Sequence, residues 1–189
     1  MALAGCTADS TSHEQRNDSY SGTTVVTLDF DDVGAKQVGV TTAALSARVI
    51  GSDRDDIEVR RSFEFTDGDE PDERIDTNGS GLTISASCPD RFAVGRPTCV
   101  ALYEIAVPYG TAVQGNSHFG DLTVNDTRAP VDLNSRYGDV TLVTGPGDYA
   151  VDAFSATGTS TIEVPQDPAG IPVRLRSGDG AVSATTDPR

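Results

Sequence analysis

The sequence predicts an all-β chain, most of it a β-solenoid of stacked two-strand coils, behind a flexible N-terminal tether. Three observations carry that expectation. A nine-residue pattern, N-S-H-F-G-D-L-T-V from Asn116 to Val124, returns as N-S-R-Y-G-D-V-T-L from Asn134 to Leu142. The 189 residues include 19 Gly and no Trp and are rich in Val, Thr, Asp and Ser, a composition of short strands and turns. No window sustains a helical period with good caps.

The repeat has a direct physical reading. Glycines 120, 138, 158 and 180 recur at intervals of 18, 20 and 22 residues. Ser stands three residues before each of them, at 117, 135, 155 and 177. Side chains at i and i+2 share one face of a strand, so Leu122 with Val124 and Val140 with Leu142 face inward while Thr123, Thr141 and Thr161 face outward. Ahead of each turn the inward candidates are Val113 and Gly115, Val131 and Leu133, Val151 and Ala153, and Val173 and Leu175. Only the connectors lengthen. That is how stacked coils behave, since neighbours must match strand for strand while outer loops are free. The expected rows are Val124, Leu142, Ile162 and Ala184, and Val131, Val151 and Val173. Gly flanked by Asp or Asn suits the tight turns. The four serines are expected to stack there, satisfying backbone groups rather than acting as nucleophiles.

From the N-terminus, residues 1–22 read as a lipobox remnant and flexible tether. L-A-G-C, ending at Cys6, resembles the lipobox of bacterial lipoproteins, in which the cysteine thiol carries a diacylglyceryl group. That resemblance implies acylation at Cys6, the lipid bilayer as a partner and a location on the outer face of the cell membrane. The basic and apolar regions of a complete signal peptide do not precede it and are expected in a longer precursor. Thr7 to Ser21 lacks apolar periodicity and reads as disordered.

Residues 23–110 form the N-terminal β portion of the domain, and residues 111–187 the repeat array. Strands are expected over Thr23–Phe30, Ala44–Ile50, Asp56–Phe65, Gly81–Ala86 and Val100–Val107, with a turn at Pro108-Tyr109-Gly110. Asp67–Asp76, with Pro71 inside it, reads as a solvated charged loop that lacks the ligand spacing of a calcium site. Cys88 and Cys99 bracket a loop that suits a hairpin closed by a disulfide, and setting Cys6 aside for lipid leaves these two to pair. Such a bond fits an exported chain.

The succession S-D-R-D-D-I-E-V, G-L-T-I-S-A-S-C, Y-E-I-A-V-P-Y-G-T and the repeated S-x-x-G-D-[LV]-T-[VL] resembles the adhesin-like domains called DUF4097, found on bacterial envelopes. The resemblance covers about Val25 to Thr185. It implies a β-solenoid, a surface location and no defined reaction.

Function classes narrow accordingly. A net charge of −15 repels nucleic acid and anionic head groups, so no nucleic-acid partner is expected. The two histidines, His13 and His118, and the absence of C-x-x-C leave no zinc set, and no metal or cofactor is expected. No G-x-S-x-G or H-E-x-x-H occurs, and no catalytic residue is assigned. The favoured reading is a non-enzymatic, lipid-anchored envelope protein that binds or scaffolds an envelope protein or glycan. Its candidate surface is His118, Phe119, Arg136 and Tyr137. The alternative is a carbohydrate-active enzyme on a β-helix, with Asp121 and Asp139 stacked on successive coils as a carboxylate pair about 5 Å apart.

Overall fold

A computed structural model describes residues 11–30, 42–66, 70–89 and 98–187, all of them strand, turn or irregular backbone without a helix. The strands in chain order are β1 Thr11–Ser21, β2 Val25–Phe30, β3 Thr42–Ser52, β4 Asp56–Thr66, β5 Asp72–Asn78, β6 Gly81–Ser87, β7 Thr98–Pro108, β8 Ala112–Phe119, β9 Leu122–Asn125, β10 Val131–Tyr137, β11 Val140–Thr144, β12 Tyr149–Ser155, β13 Ser160–Glu163, β14 Ile171–Asp179 and β15 Val182–Thr186. They make two mixed sheets. The larger runs β1-β4-β7-β3-β9-β11-β15-β13 and the smaller β12-β14-β10-β8-β2-β6-β5. Period-two alternation supplies one core: Val26, Leu28, Ile84, Leu133 and Leu175 from the smaller sheet meet Val49, Val59, Ile105, Val124 and Leu142 from the larger.

Each repeat copy contributes one strand to each sheet. The first is β8 with β9, the second β10 with β11, the third β12 with β13 and the fourth β14 with β15. Copies pair in parallel and in register, Val131 opposite both Val113 and Val173, and Leu142 opposite both Val124 and Ala184. The expected rows exist, but their order differs from chain order. The fourth copy lies between the second and the third, so the first row reads Val124, Leu142, Ala184, Ile162. The reason lies in the third copy's side chains. It carries Ser160 where the others carry Leu122, Val140 and Val182, and Ile162 remains 43% exposed. The copy with the weakest apolar face takes the outside position. Its free strand edge is also blunted: Val151 N–H donates to Gln166 Oε1 (3.1 Å), Asp167 N–H to the Tyr149 carbonyl (2.9 Å), and Ser160 Oγ to the Ala153 carbonyl (3.3 Å).

Three expectations for the N-terminal portion change. The tether reading does not hold for residues 11–21, which form β1 and pair antiparallel with β4 from Thr11↔Thr66 to Ser21↔Asp56. This strand has no aliphatic residue. Its inward positions include Glu14, Arg16 and Tyr20, so ion pairs and one aromatic ring against the core stand in for an aliphatic face, and the periodicity test misses it. Cys6 and the first ten residues lie outside the described residues. The charged loop reading fails for Asp72–Asp76, which belong to β5 paired antiparallel with β6; Asp67–Asp69 lie outside the described residues. Glu73 turns inward there, toward an arginine.

The disulfide between Cys88 and Cys99 is present, with Cα atoms 5.9 Å apart. It does not close a hairpin. β6 belongs to the smaller sheet and β7 to the larger, so the bond ties the two sheets together. A spacing of 11 fits either arrangement, which is why the sequence does not distinguish them. By loop-closure entropy such a link stabilises the fold by about 2–3 kcal/mol.

Candidate binding surface

At the turns of the repeat, each of the four recurring serine hydroxyls has a backbone partner. Ser135 Oγ donates to the Gly120 carbonyl (3.0 Å), Ser177 Oγ to Gly138 (2.9 Å) and Ser155 Oγ to Gly180 (2.7 Å). Ser117 Oγ starts the series by donating to the Leu45 carbonyl of β3 (3.2 Å). The expected serine ladder is structural, and it follows the spatial order of the copies. The glycines are required by close approach. A Cβ on Gly138 would lie 2.3 Å from the Gly120 carbonyl oxygen, and one on Gly180 2.2 Å from that of Gly138.

The carboxylates are used in the same way. Asp139 N–H donates to Asp121 Oδ1 (2.8 Å), and Ala181 N–H to Asp139 Oδ1 (2.7 Å). Each side chain caps the next copy's turn, as Asp commonly does. Both carboxylates are therefore tied to backbone amides rather than directed together at a substrate.

The four residues of the candidate surface come together where β8 and β10 end. Phe119 and Tyr137 are register partners whose rings stack 4.8 Å apart at 12°. His118 lies 4.7 Å from Phe119 and 5.8 Å from Tyr137, ring centre to ring centre. The Arg136 guanidinium sits over the Tyr137 ring at 5.3 Å. Tyr137 is 39% exposed. Stacking along the strand spacing directs the Phe119 and Tyr137 faces at each other, which leaves ring edges, the imidazole and the guanidinium for a partner.

No family model matches the chain, and no curated protein does. Among solved structures the chain is similar to a "putative cell adhesion protein" from Clostridium sporogenes, at TM-score 0.53 and 9% identity over 93% of this chain and 100% of that one. The likeness is one of fold. A "putative adhesin" from Bacteroides fragilis aligns at TM-score 0.34 and 12% identity, over 93% of this chain and 98% of that one. Another, from Parabacteroides distasonis, aligns at 0.32 and 10%, over 91% and 97%.

A second polar cluster escapes the sequence reading. Arg61 on β4 and Glu73 on β5 are 5% and 7% exposed as side chains and pair at 2.5 Å, and Arg61 also pairs with Asp18 on β1. Arg16, which bonds Glu14 and Glu70 at 2.7 Å each, extends the network over the Phe63 ring. The Tyr103 hydroxyl lies beside Glu73 without a bond of good geometry; burial, with the nearby carboxylate adding to it, pushes its pKa far above the usual tyrosine value. One signal was available. Ile57, Val59, Arg61 and Phe63 share a face by alternation, so Arg61 occupies an inward position. The group joins β1 and β4 of the larger sheet to β5 of the smaller.

Proposed function

We propose that the chain is a non-enzymatic, adhesin-like protein of the bacterial envelope, whose repeat array is a short β-solenoid presenting a surface to an envelope protein or glycan. One observation carries the reading. The hydroxyls and carboxylates that recur in the repeat are engaged in holding the copies together, whereas the aromatic and guanidinium groups of His118, Phe119, Arg136 and Tyr137 cluster at the surface. The name of the Clostridium sporogenes protein and the strand succession that resembles DUF4097 support it. Attachment through an acylated Cys6 would hold the domain at the outer face of the cell membrane, since the several acyl chains of a mature lipoprotein anchor firmly.

The test is sedimentation of the Cys6→Ser protein with envelopes of the bacterium that encodes it. Saturable co-sedimentation that falls at least tenfold in Phe119→Ala/Tyr137→Ala supports the reading, and absence of any saturable binding overturns it. For the anchor, the full precursor should partition into detergent and Cys6→Ala should release it. Equal partitioning of the two would rule the anchor out.

A further inference from the structure

The outward face of the smaller sheet carries a second regularity, independent of the turn ladders. Register places Gln114, Asp132 and Arg174 in one row across β8, β10 and β14, and Asn116, Asn134 and Arg176 in the next. All but Arg176 are exposed. Every one of these side chains ends in a planar amide, carboxylate or guanidinium; the five exposed ones can each bond two neighbouring hydroxyl groups at once, while Arg176 is held by Asp152. They repeat at the strand spacing of about 4.8 Å in one direction and about 6.8 Å in the other. Such a lattice matches a ligand that is itself a row of hydroxyl pairs.

Apolar surface borders the rows on two sides. Pro130, just ahead of β10, and Pro172 on β14 are exposed, and they line a groove of about 420 Å³ together with Gln114, Asp132, Asp152 and Arg174. Phe154, 56% exposed, stands beside Arg176 on β12. A sugar ring has the matching duality, with hydroxyls around its rim and C–H groups on its faces. A protein partner fits less well, because protein interfaces centre on buried aromatic anchors, and beside these two rows Phe154 is the exposed ring, the His118, Phe119 and Tyr137 cluster lying beyond them at the strand ends. The charges also balance. Arg174 and Arg176 are matched by Asp132 and Asp152, and the Arg176 guanidinium pairs with Asp152 and holds that carboxyl below its usual range. In a chain of net charge −15 this face is locally balanced, which gives a polyanion no cluster of cations to bind.

We infer that the outer face of the smaller sheet across β8, β10 and β14 binds an extended neutral polysaccharide, with the Gln114 and Asn116 rows bonding successive hydroxyl pairs. This rests on the adhesin-like reading above and specifies its ligand.

Affinity electrophoresis of the Cys6→Ser protein through gels containing soluble β-glucan, mannan or galactomannan tests it, with alginate as the acidic comparison. Retardation by at least one neutral polymer is expected. Asn116→Ala/Asn134→Ala should weaken it at least tenfold, while Thr141→Ala on the opposite sheet should leave it unchanged. Retardation by alginate alone, or equal retardation of wild type and the asparagine variant, overturns the inference. Saturable envelope binding without retardation by any of these polymers overturns this inference and leaves the parent reading standing; loss of envelope binding itself overturns the parent.

Discussion

The repeat array and the N-terminal strands use the same inward and outward alternation but fix their register by different forces. Within the array, parallel copies are locked by short-range contacts that recur at each step: a serine hydroxyl on a glycine carbonyl, an aspartate on a backbone amide, a glycine with no room for a side chain. At the other end, β1, β4 and β5 are joined through a charge cluster around Arg61, with Asp18 and Glu73 from different strands. Each region is vulnerable to a different kind of change. The array depends on close fit and short hydrogen bonds repeated at every step; the N-terminal cluster depends on buried charge, whose cost is met only while every partner is present.

The largest break is expected from a charge in the inward row. Leu142 is 1% exposed, so Leu142→Asp buries an unpaired carboxylate at a cost of several kcal/mol against a total of about 5–15 kcal/mol, and the cooperative thermal transition should disappear. Thr141→Asp, one residue away and outward, should shift stability by no more than about 1 kcal/mol. Similar melting of the two would mean that the faces are misassigned. Next comes the cluster. Glu73→Ala leaves Arg61 buried with only Asp18 and should cost about 3 kcal/mol by urea titration, whereas Arg61→Met/Glu73→Met should recover most of it. A double variant as unstable as the single would show that the pair stabilises in its own right.

Gly138→Ala follows, at about 2–3 kcal/mol, because the new methyl meets the Gly120 carbonyl and backbone must move. Gly110→Ala is the matched control, with nothing within 4 Å of the added carbon. Equal midpoints would remove the steric account of the ladder. The smallest effect belongs to Tyr103→Phe. Because the folded-state pKa of Tyr103 lies above its ordinary value of 10.0, the associated stability is intact below that pH and is lost as pH rises beyond it. Near neutrality the variant should stay within about 1 kcal/mol of wild type. At about pH 11 it should lose less stability than wild type, read from urea midpoints at the two pH values.

What the sequence made legible follows from these forces. Period-two alternation and the glycine frame placed Val124, Leu142, Ala184 and Ile162 in one row, because each copy repeats the pattern locally. The exchange of the third and fourth copies was not legible, since copies built on one frame offer nearly equivalent edges and only the weak clue of Ser160 marks the outer one. β1 was missed because a search for apolar periodicity cannot see a strand whose inward residues are Glu14, Arg16 and Tyr20. The pairing of Cys88 with Cys99 was legible but its role was not, because chain spacing says nothing about which sheet each neighbour joins. Of the surface, the cluster at Phe119 and Tyr137 followed from the repeat register, while the lattice around Asn116 and Asn134 emerged only when β10 was seen between β8 and β14.

The exchanged order of the last two copies also sets a schedule for assembly. Among the described residues, strands β12 and β13 find their strand partners only in β14 and β15, which follow them in the chain. As the polypeptide emerges N-terminus first, residues 149–163 must wait without a pairing strand until Ile171–Thr186 has appeared, while β14 and β15 can dock at once on β10 and β11. Closure of this end therefore follows the docking of β14 and β15. A chain interrupted before Ile171 would leave Tyr149–Glu163 without its pairing strands and its edge amides open to any other strand.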